Sequence, residues 1–230
     1  MLDTPSAPAT AAAAVTIDFW ADLCCPWCYV GSRRLALAVA HEPDGSVVTR
    51  WRAFQLHPGL PEAPADPADP DDPGDPSQAA DIPQPAPPAT ARLREAGREV
   101  GIVFANPPLT ATVDTTLAHR AVLLYDGQAR QRAVSAALYA AHFEQNLDLA
   151  STDAVATVTA QASGDTVDAV RGRLLAGEGD TELAADLLQA RLLGVTAVPT
   201  YVAGRTVAVQ GAQRVEILRA LIAEGRRGDR

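Results

Sequence analysis

The chain has 230 residues, of which 47% are hydrophobic, and it carries a formal net charge of −9 at neutral pH. This length and composition suffice for a sizeable buried core, and the acidic balance argues against nucleic acid as a partner. All 19 basic residues are arginine, which excludes a lysine Schiff base and a phosphate-binding Walker lysine.

Residues 1–14 hold a short alanine stretch and no positive charge, so we interpret them as a disordered tail rather than a signal peptide. No segment approaches 18 consecutive strongly apolar residues, and we therefore expect no membrane span and no membrane partner. These features together predict a cytoplasmic protein. A persistent structural disulfide is not expected in that reducing compartment.

The chain opens with a strand, a helix and a second strand. The β-branched and aromatic run VTIDFWA (15–21) predicts a buried strand. PWCYVGSRRLALAVAH (26–41) predicts a helix with Pro26 at a permitted first-turn position. GSVVTRWRAFQL (45–56) predicts the next strand, and a helical crossover of this length implies that the two strands are parallel.

Residues 58–90 form an acidic segment in which prolines recur at every third position from 58 to 76. A polyproline II helix has about three residues per turn, so these prolines would line one edge of it. The acidic residues between them would repel one another and extend the segment. We expect a disordered loop at residues 58–90, and a docking site for a proline-binding partner is the alternative.

Helical patterns fill residues 91–193, which we assign to an inserted helical domain. Its last three helices each open on Ser, Thr or Asp, which cap free N–H groups, and each closes on glycine. Residues 194–225 hold two short strands joined by a turn at Gly204–Arg205 and a final helix, and residues 226–230 are a tail. The sequence thus predicts an α/β fold, with strands at 15–57 and 194–225 on either side of the helical insertion.

All three cysteines lie within residues 24–28, and Cys25 and Cys28 form a C-x-x-C where a strand gives way to a helix. The first turn of a helix has unpaired N–H groups and a partial positive charge. A thiol placed there has a lowered pKa and more nucleophilic thiolate. We predict Cys25, at an exposed tip, as the attacking thiol and the partly buried Cys28 as the resolving thiol of a redox-active disulfide.

A zinc site uses the same spacing but requires two further ligands. Adjacent Cys24 and Cys25 cannot readily both face one tetrahedral ion with Cys28, so we predict no bound metal or cofactor. Cys24 is interpreted as a small buried apolar side chain, with a third redox group as the alternative. The four histidines are interpreted as surface or hydrogen-bonded residues, and His119 is the first that we would mutate.

Val198 and Pro199 begin a strand in the second block. In a β-α-β/β-β-α layout this proline would lie at the end of the sheet that faces the cysteines. A cis bond at Pro199 would turn the Val198 backbone toward the thiols, where it could pair with an extended substrate chain.

The segments CPWCYVG, FQLHPGLP, DTTLAHR, LGVTAVPTYV and VQGAQ resemble the DsbA-like branch of the thioredoxin superfamily, specifically its FrnE-type group. The resemblance runs from about residue 15 to 223 outside the proline-rich segment. It implies a thioredoxin-like fold with an inserted helical domain, Cys25 as nucleophile, Cys28 as resolving thiol, and Pro199 as a cis-proline beside them. The chain departs from the group at Asp114, where relatives usually carry asparagine, and in the acidic proline segment.

The resemblance implies a thiol–disulfide oxidoreductase acting on disulfide-containing proteins or small molecules, with glutathione as a candidate co-substrate. The alternative is a glutathione-dependent isomerase of the 2-hydroxychromene-2-carboxylate type, whose members generally carry serine at the position of Cys25. A binding or chaperone module is a third hypothesis. Trp27 is expected to add bulk beside the substrate, without charge, which predicts a reduction potential between about −120 and −270 mV. A monomer and a homodimer both remain open.

Overall fold

The computed structural model of the protein describes residues 14–58, 88–105 and 113–228. The described residues form a mixed sheet of four strands in the order β2-β1-β3-β4. The strands are β1 (Val15–Ala21), β2 (Val47–Ala53), β3 (Thr200–Ala203) and β4 (Val207–Gln210). Residues 1–13 of the predicted tail (1–14) and residues 59–87 of the predicted acidic loop (58–90) lie outside the described residues.

Eight helices are described. They are α1 (Pro26–Val39), α2 (Pro88–Arg98), α3 (Thr116–Leu123), α4 (Gln128–Gln145), α5 (Thr152–Ser163), α6 (Val167–Leu175), α7 (Asp180–Leu192) and α8 (Val215–Gly228). Helix α2 begins at Pro88, inside the range that we assigned to the acidic loop, because a proline is compatible with the first turn of a helix. No helix among the described residues is long and apolar enough to cross a membrane.

The sheet contains the predicted parallel pair of the first two strands and the predicted turn between the last two. Strand β1 runs parallel to β2, with Phe19 opposite Trp51, and antiparallel to β3, with Phe19 opposite Tyr201. Strands β3 and β4 form an antiparallel hairpin, whose turn has positive φ at Gly204 and Arg205, as a tight hairpin turn requires. Both segments of the chain therefore contribute strands to one sheet, the α/β thioredoxin-like arrangement that the sequence predicts.

The helical insertion packs against the sheet and α1 through buried aromatic rings. Tyr29 of α1 stacks on Tyr139 of α4 with ring centroids 5.2 Å apart, and its hydroxyl donates a hydrogen bond to Glu144 at 2.7 Å. Trp51 of β2 meets Tyr139 edge-on at 6.0 Å. Aromatic pairs of this geometry add to the stabilisation that comes from burying their area, so α4 is held firmly beside the start of α1.

The capping predictions are confirmed for two of the last three helices of the insertion. Ser151 and Thr166 accept hydrogen bonds from the backbone N–H groups of Ala154 and Ala169. The prediction for α7 is wrong, because its N-cap is Gly179, in the left-handed region, and makes no side-chain cap. The carboxylate of Asp180 instead pairs with Arg120 at 2.9 Å.

Candidate active site

The cysteine pair lies where β1 leads into α1. Cys25 is the N-cap of α1, with φ −91° and ψ 112°, and Pro26 occupies the first turn. The carbonyl oxygen of Cys25 accepts the N–H of Cys28 at 3.0 Å and the N–H of Tyr29 at 3.2 Å. One helical turn therefore separates the two thiols, both of which are free in this structure.

Both thiols are buried more deeply than we predicted. Cys25 is only 7% exposed and Cys28 is fully buried, whereas Trp27 between them is 37% exposed. The prediction of an exposed tip at Cys25 was therefore wrong. A distant part of the chain reaches this turn, since the hydroxyl of Tyr139 in α4 donates to the main-chain oxygen of Asp22 at 3.1 Å, the same oxygen that accepts the N–H of Cys25.

The surroundings of the two thiols shift their pKa values in opposite directions. The pKa of Cys25 is lowered, chiefly because Cys28 donates a hydrogen bond to its sulfur, and burial works against this. The backbone N–H groups of Trp27 and Cys28 lower the pKa further. The pKa of Cys28 is raised, first by burial and then by its role as the donor to Cys25. The arrangement favours a thiolate on Cys25 and a protonated thiol on Cys28.

Cys24 differs from Cys25 and Cys28. It is partly exposed rather than buried. Its pKa is nevertheless raised, first by desolvation and then by the negative charge of Asp22. Cys24 is thus a protonated thiol at neutral pH, and of the three cysteines only Cys25 has a lowered pKa.

Pro199 packs against α1 at the start of β3. The Val198–Pro199 peptide bond is cis, and the carbonyl oxygen of Pro199 accepts the N–H of Gly211 at 2.7 Å. A methyl group placed on Gly31 would lie 3.0 Å from the Pro199 ring and would overlap the hydroxyl of Tyr201. Gly31 lies six residues after Cys25, so the Pro199 segment contacts the same helix that begins at the cysteine pair.

Replacing Gly31 by alanine tests this contact. A helix-interior Gly→Ala change ordinarily stabilises a protein by up to about 1 kcal/mol. Here the added carbon collides with Tyr201 and Pro199, and overpacking of this kind costs about 1–3 kcal/mol. We expect Gly31→Ala to lower the melting temperature by about 2–10 °C, measured by circular dichroism.

Gly172 of α6 provides the matched control, since nothing lies within 4 Å of an added carbon there. Gly172→Ala should melt at or slightly above the wild-type temperature. A Gly31→Ala protein that melts no lower than the wild type would show that α1 and the Pro199 segment are not in close contact.

A buried acid and histidine complete the site, and the acid was missed at the sequence level. Asp22 is 1% exposed and His119 is fully buried, with His119 Nε2 3.1 Å from Asp22 Oδ1. Asp22 lies three residues before Cys25. What distinguishes it from an ordinary loop residue is its hydrogen-bond partner His119 in α3, which is 97 residues away in the sequence. Asp114, where the chain departs from the resembling group, accepts the N–H of Thr116, the first residue of α3, at 2.8 Å.

No cluster of three histidine, cysteine or acidic side chains suited to a metal ion occurs within residues 14–58, 88–105 and 113–228. Trp27 and Val198 were predicted to contact substrate. Trp27 presents an exposed ring next to Cys25, and Val198 is partly buried beside Pro199. Their role in binding stays a prediction.

A mixed sheet with a Cys-x-x-Cys at the start of the first helix defines a thioredoxin-like fold with a helical insertion. A family model described as a DSBA-like thioredoxin domain matches residues 16–223. The chain belongs to this DSBA-like family. No curated protein matches the sequence.

Several solved structures share the fold. A probable DsbA oxidoreductase from Streptomyces coelicolor is 26% identical, with a TM-score of 0.69 over 94% of this chain and 91% of that one. A 2-hydroxychromene-2-carboxylate isomerase is 14% identical, with a TM-score of 0.64 over 91% and 95% of the two chains. The cytosolic disulfide reductase DsbM from Pseudomonas aeruginosa, with GSH, is 17% identical, with a TM-score of 0.55 over 92% and 96%. The last two likenesses concern the fold alone.

Proposed function

We propose that the protein is a thiol–disulfide oxidoreductase whose reactive group is the Cys25–Cys28 pair. The observation that carries this proposal is geometric: Cys25 is the N-cap of α1, and Cys28 lies fully buried one turn further along the same helix. The directions of the two pKa shifts, lowered at Cys25 and raised at Cys28, agree with this placement. A thiolate beside a protonated partner one turn away is the arrangement that disulfide exchange requires.

The exchange proceeds in two steps. The Cys25 thiolate attacks one sulfur of a substrate disulfide, forming a mixed disulfide and releasing the other substrate sulfur as a thiolate, which takes up a proton. Cys28 then loses its proton and attacks Cys25, closing the Cys25–Cys28 disulfide and releasing the second substrate thiol. The enzyme dithiol is oxidised by two electrons and the substrate disulfide is reduced by two. The reverse sequence oxidises a substrate dithiol by the same route.

Access to Cys25 is narrow, because the residue is almost completely buried. A substrate sulfur would approach beside the exposed Trp27 ring, and the backbone at Val198 would pair with an extended substrate chain. Small thiols and flexible peptide segments meet this restriction better than a disulfide held rigidly in a folded surface. Glutathione is therefore the co-substrate that we propose, in keeping with a fold neighbour described as a cytosolic disulfide reductase with GSH, and we place the activity in the cytoplasm.

Equilibration with mixtures of reduced and oxidised glutathione tests the proposal. We expect the Cys25–Cys28 disulfide to form and disappear reversibly, with a potential between about −120 and −270 mV. The fraction oxidised can be read by alkylation of free thiols and intact-protein mass spectrometry. A protein that never forms this disulfide across the glutathione range would contradict the proposal.

The isomerase alternative is tested separately, because the 2-hydroxychromene-2-carboxylate isomerase shares the fold. Under the redox proposal, wild-type protein with glutathione does not isomerise 2-hydroxychromene-2-carboxylate. Turnover of that compound that persists in Cys28→Ser protein would favour the isomerase instead, since that reaction needs no resolving thiol.

A further inference from the structure

The buried pair Asp22–His119 is unused by the exchange steps above. Asp22 belongs to the segment between β1 and α1, and His119 lies in α3 of the helical insertion. Their side chains meet at 3.1 Å and are shielded from solvent. Burying a charged side chain costs free energy because the charge loses its hydration. A buried acid that the fold keeps in spite of this cost is therefore a candidate for a functional role.

The carboxylate of Asp22 is fixed by several donors. Oδ2 accepts the N–H of Leu56 at 2.7 Å, and Oδ1 faces both His119 Nε2 and the N–H of Cys24, the latter at 3.5 Å. The main-chain oxygen of Asp22 accepts the N–H of Cys25 at 3.1 Å and the hydroxyl of Tyr139 at 3.1 Å. Asp22 is thus tied by hydrogen bonds to the backbone of both cysteines that precede α1.

This carboxylate remains ionised. Burial by itself would raise the pKa of Asp22, but the hydrogen bond from His119, followed by the Leu56 and Thr115 donors, holds that pKa below its ordinary value. The nearby negative charge opposes ionisation of the thiols, and it counts among the influences that raise the pKa of Cys25 against the stronger effect of the Cys28 hydrogen bond.

His119 moderates that charge. A donor that hydrogen-bonds a carboxylate spreads its negative charge and reduces the field that the carboxylate exerts on its neighbours. His119 Nδ1 is buried and has no hydrogen-bond partner among the described residues. Placing the ring proton on Nε2, toward Asp22, avoids burying an unpaired N–H at Nδ1.

Other titratable groups lie near the pair or near Cys25. Tyr139 of α4 interacts with Asp22, and Tyr201 of β3 interacts with Cys25; the pKa of both tyrosines is raised, first by burial, so they remain neutral at physiological pH. Asp186 of α7 interacts with His119 and is paired with Arg52. The remaining groups are Cys24, Cys25 and Cys28.

We propose that Asp22 and His119 are positioning residues that set how much of Cys25 is present as thiolate, with Asp22 opposing the thiolate and His119 offsetting Asp22. The proposal rests on the proposed function only in taking Cys25 as the attacking thiol. It assigns the helical insertion a part in the chemistry, because α3 supplies the histidine that balances a charge in the thioredoxin-like part of the chain.

The test measures the pH dependence of alkylation at Cys25, resolved from Cys24 and Cys28 by peptide mass spectrometry. In Asp22→Asn the opposing charge is gone, and at pH values below the wild-type inflection Cys25 should react about tenfold faster. In His119→Leu the carboxylate is no longer offset, while the Leu56 and Thr115 donors still favour its ionised form, so Cys25 should react about tenfold more slowly. His119→Gln, whose amide can still donate to Asp22, should lie close to wild type.

The double variant Asp22→Asn/His119→Leu separates this role from a merely structural one. Without the carboxylate there is nothing for His119 to offset, so the double variant should match Asp22→Asn. His41 Nδ1 lies 2.7 Å from the Leu37 carbonyl oxygen near the far end of α1, and His41→Gln is the matched control that should leave the profile unchanged.

Shifts of the same sign in Asp22→Asn and His119→Leu, or an unchanged inflection in Asp22→Asn, would overturn the proposal. Should His119→Leu fail to fold, the Asp22→Asn and His119→Gln profiles still decide it. The alkylation profile does not depend on any substrate. A wild-type protein that fails the glutathione equilibration while the variants shift as expected would therefore refute the proposed function and leave this inference intact.

Discussion

Cys25→Ser should abolish disulfide exchange, lowering its rate by more than about 10³-fold. A serine hydroxyl is not ionised near neutral pH, so the attacking anion is lost. Cys28→Ser should behave differently, because Cys25 can still attack but nothing resolves the product. We expect one equivalent of substrate to accumulate as a mixed disulfide, visible as an added mass on the intact protein that a strong reductant removes.

Cys24→Ser supplies the matched control for both variants. It makes the same chemical change one residue from Cys25, at a thiol whose pKa is raised by burial and by Asp22. This variant should retain exchange within a few-fold of wild type. Loss of exchange in Cys24→Ser together with its survival in Cys25→Ser would mean that the attacking thiol has been misassigned.

Asp186→Ala should cost about 3 kcal/mol of the free energy of unfolding. Asp186 lies in α7 and is 4% exposed. One carboxylate oxygen accepts from Arg52 at 3.0 Å and the other from the N–H of Ala53 at 2.9 Å. Removing the Asp186 carboxylate leaves the buried N–H of Ala53 in β2 without an acceptor. Arg52 also loses one of its two acidic partners, the other being Asp18 at 2.9 Å.

Urea unfolding followed by circular dichroism measures this loss. The exposed pair Glu224–Arg227 in α8 is the control, because exposed ion pairs contribute little, and Glu224→Ala should leave the free energy of unfolding close to that of the wild type. An Asp186→Ala protein as stable as the Glu224→Ala protein would show that the contact between α7 and β2 does not hold the insertion to the sheet.

The elements whose pattern is local could be predicted from the sequence. The run VTIDFWA forms β1 because its branched and aromatic side chains suit a buried strand. The parallel pairing of β1 with β2 follows from the helix between them. The beginning of α1 at Pro26 is equally local, since it depends on a proline that fits only the first turn of a helix.

The burial of Cys25 could not be predicted in the same way. A residue at the start of a helix is exposed unless another part of the fold covers it, and here Tyr139 of α4 reaches the same turn, where its hydroxyl donates to the main-chain oxygen of Asp22 that also accepts the N–H of Cys25. Asp22 was missed for a related reason. A single acid in a loop has no pattern of its own, and its role depends on His119, which the fold brings to it from α3.

Titrating the thiolate absorbance of the reduced protein against pH measures whether Cys25 is the thiol that ionises. We expect one thiol to ionise clearly below the ordinary value of about 8.5, and we expect this transition to be absent from Cys25→Ser protein. An inflection at or above the ordinary value, or a low transition that persists in Cys25→Ser, would contradict this expectation.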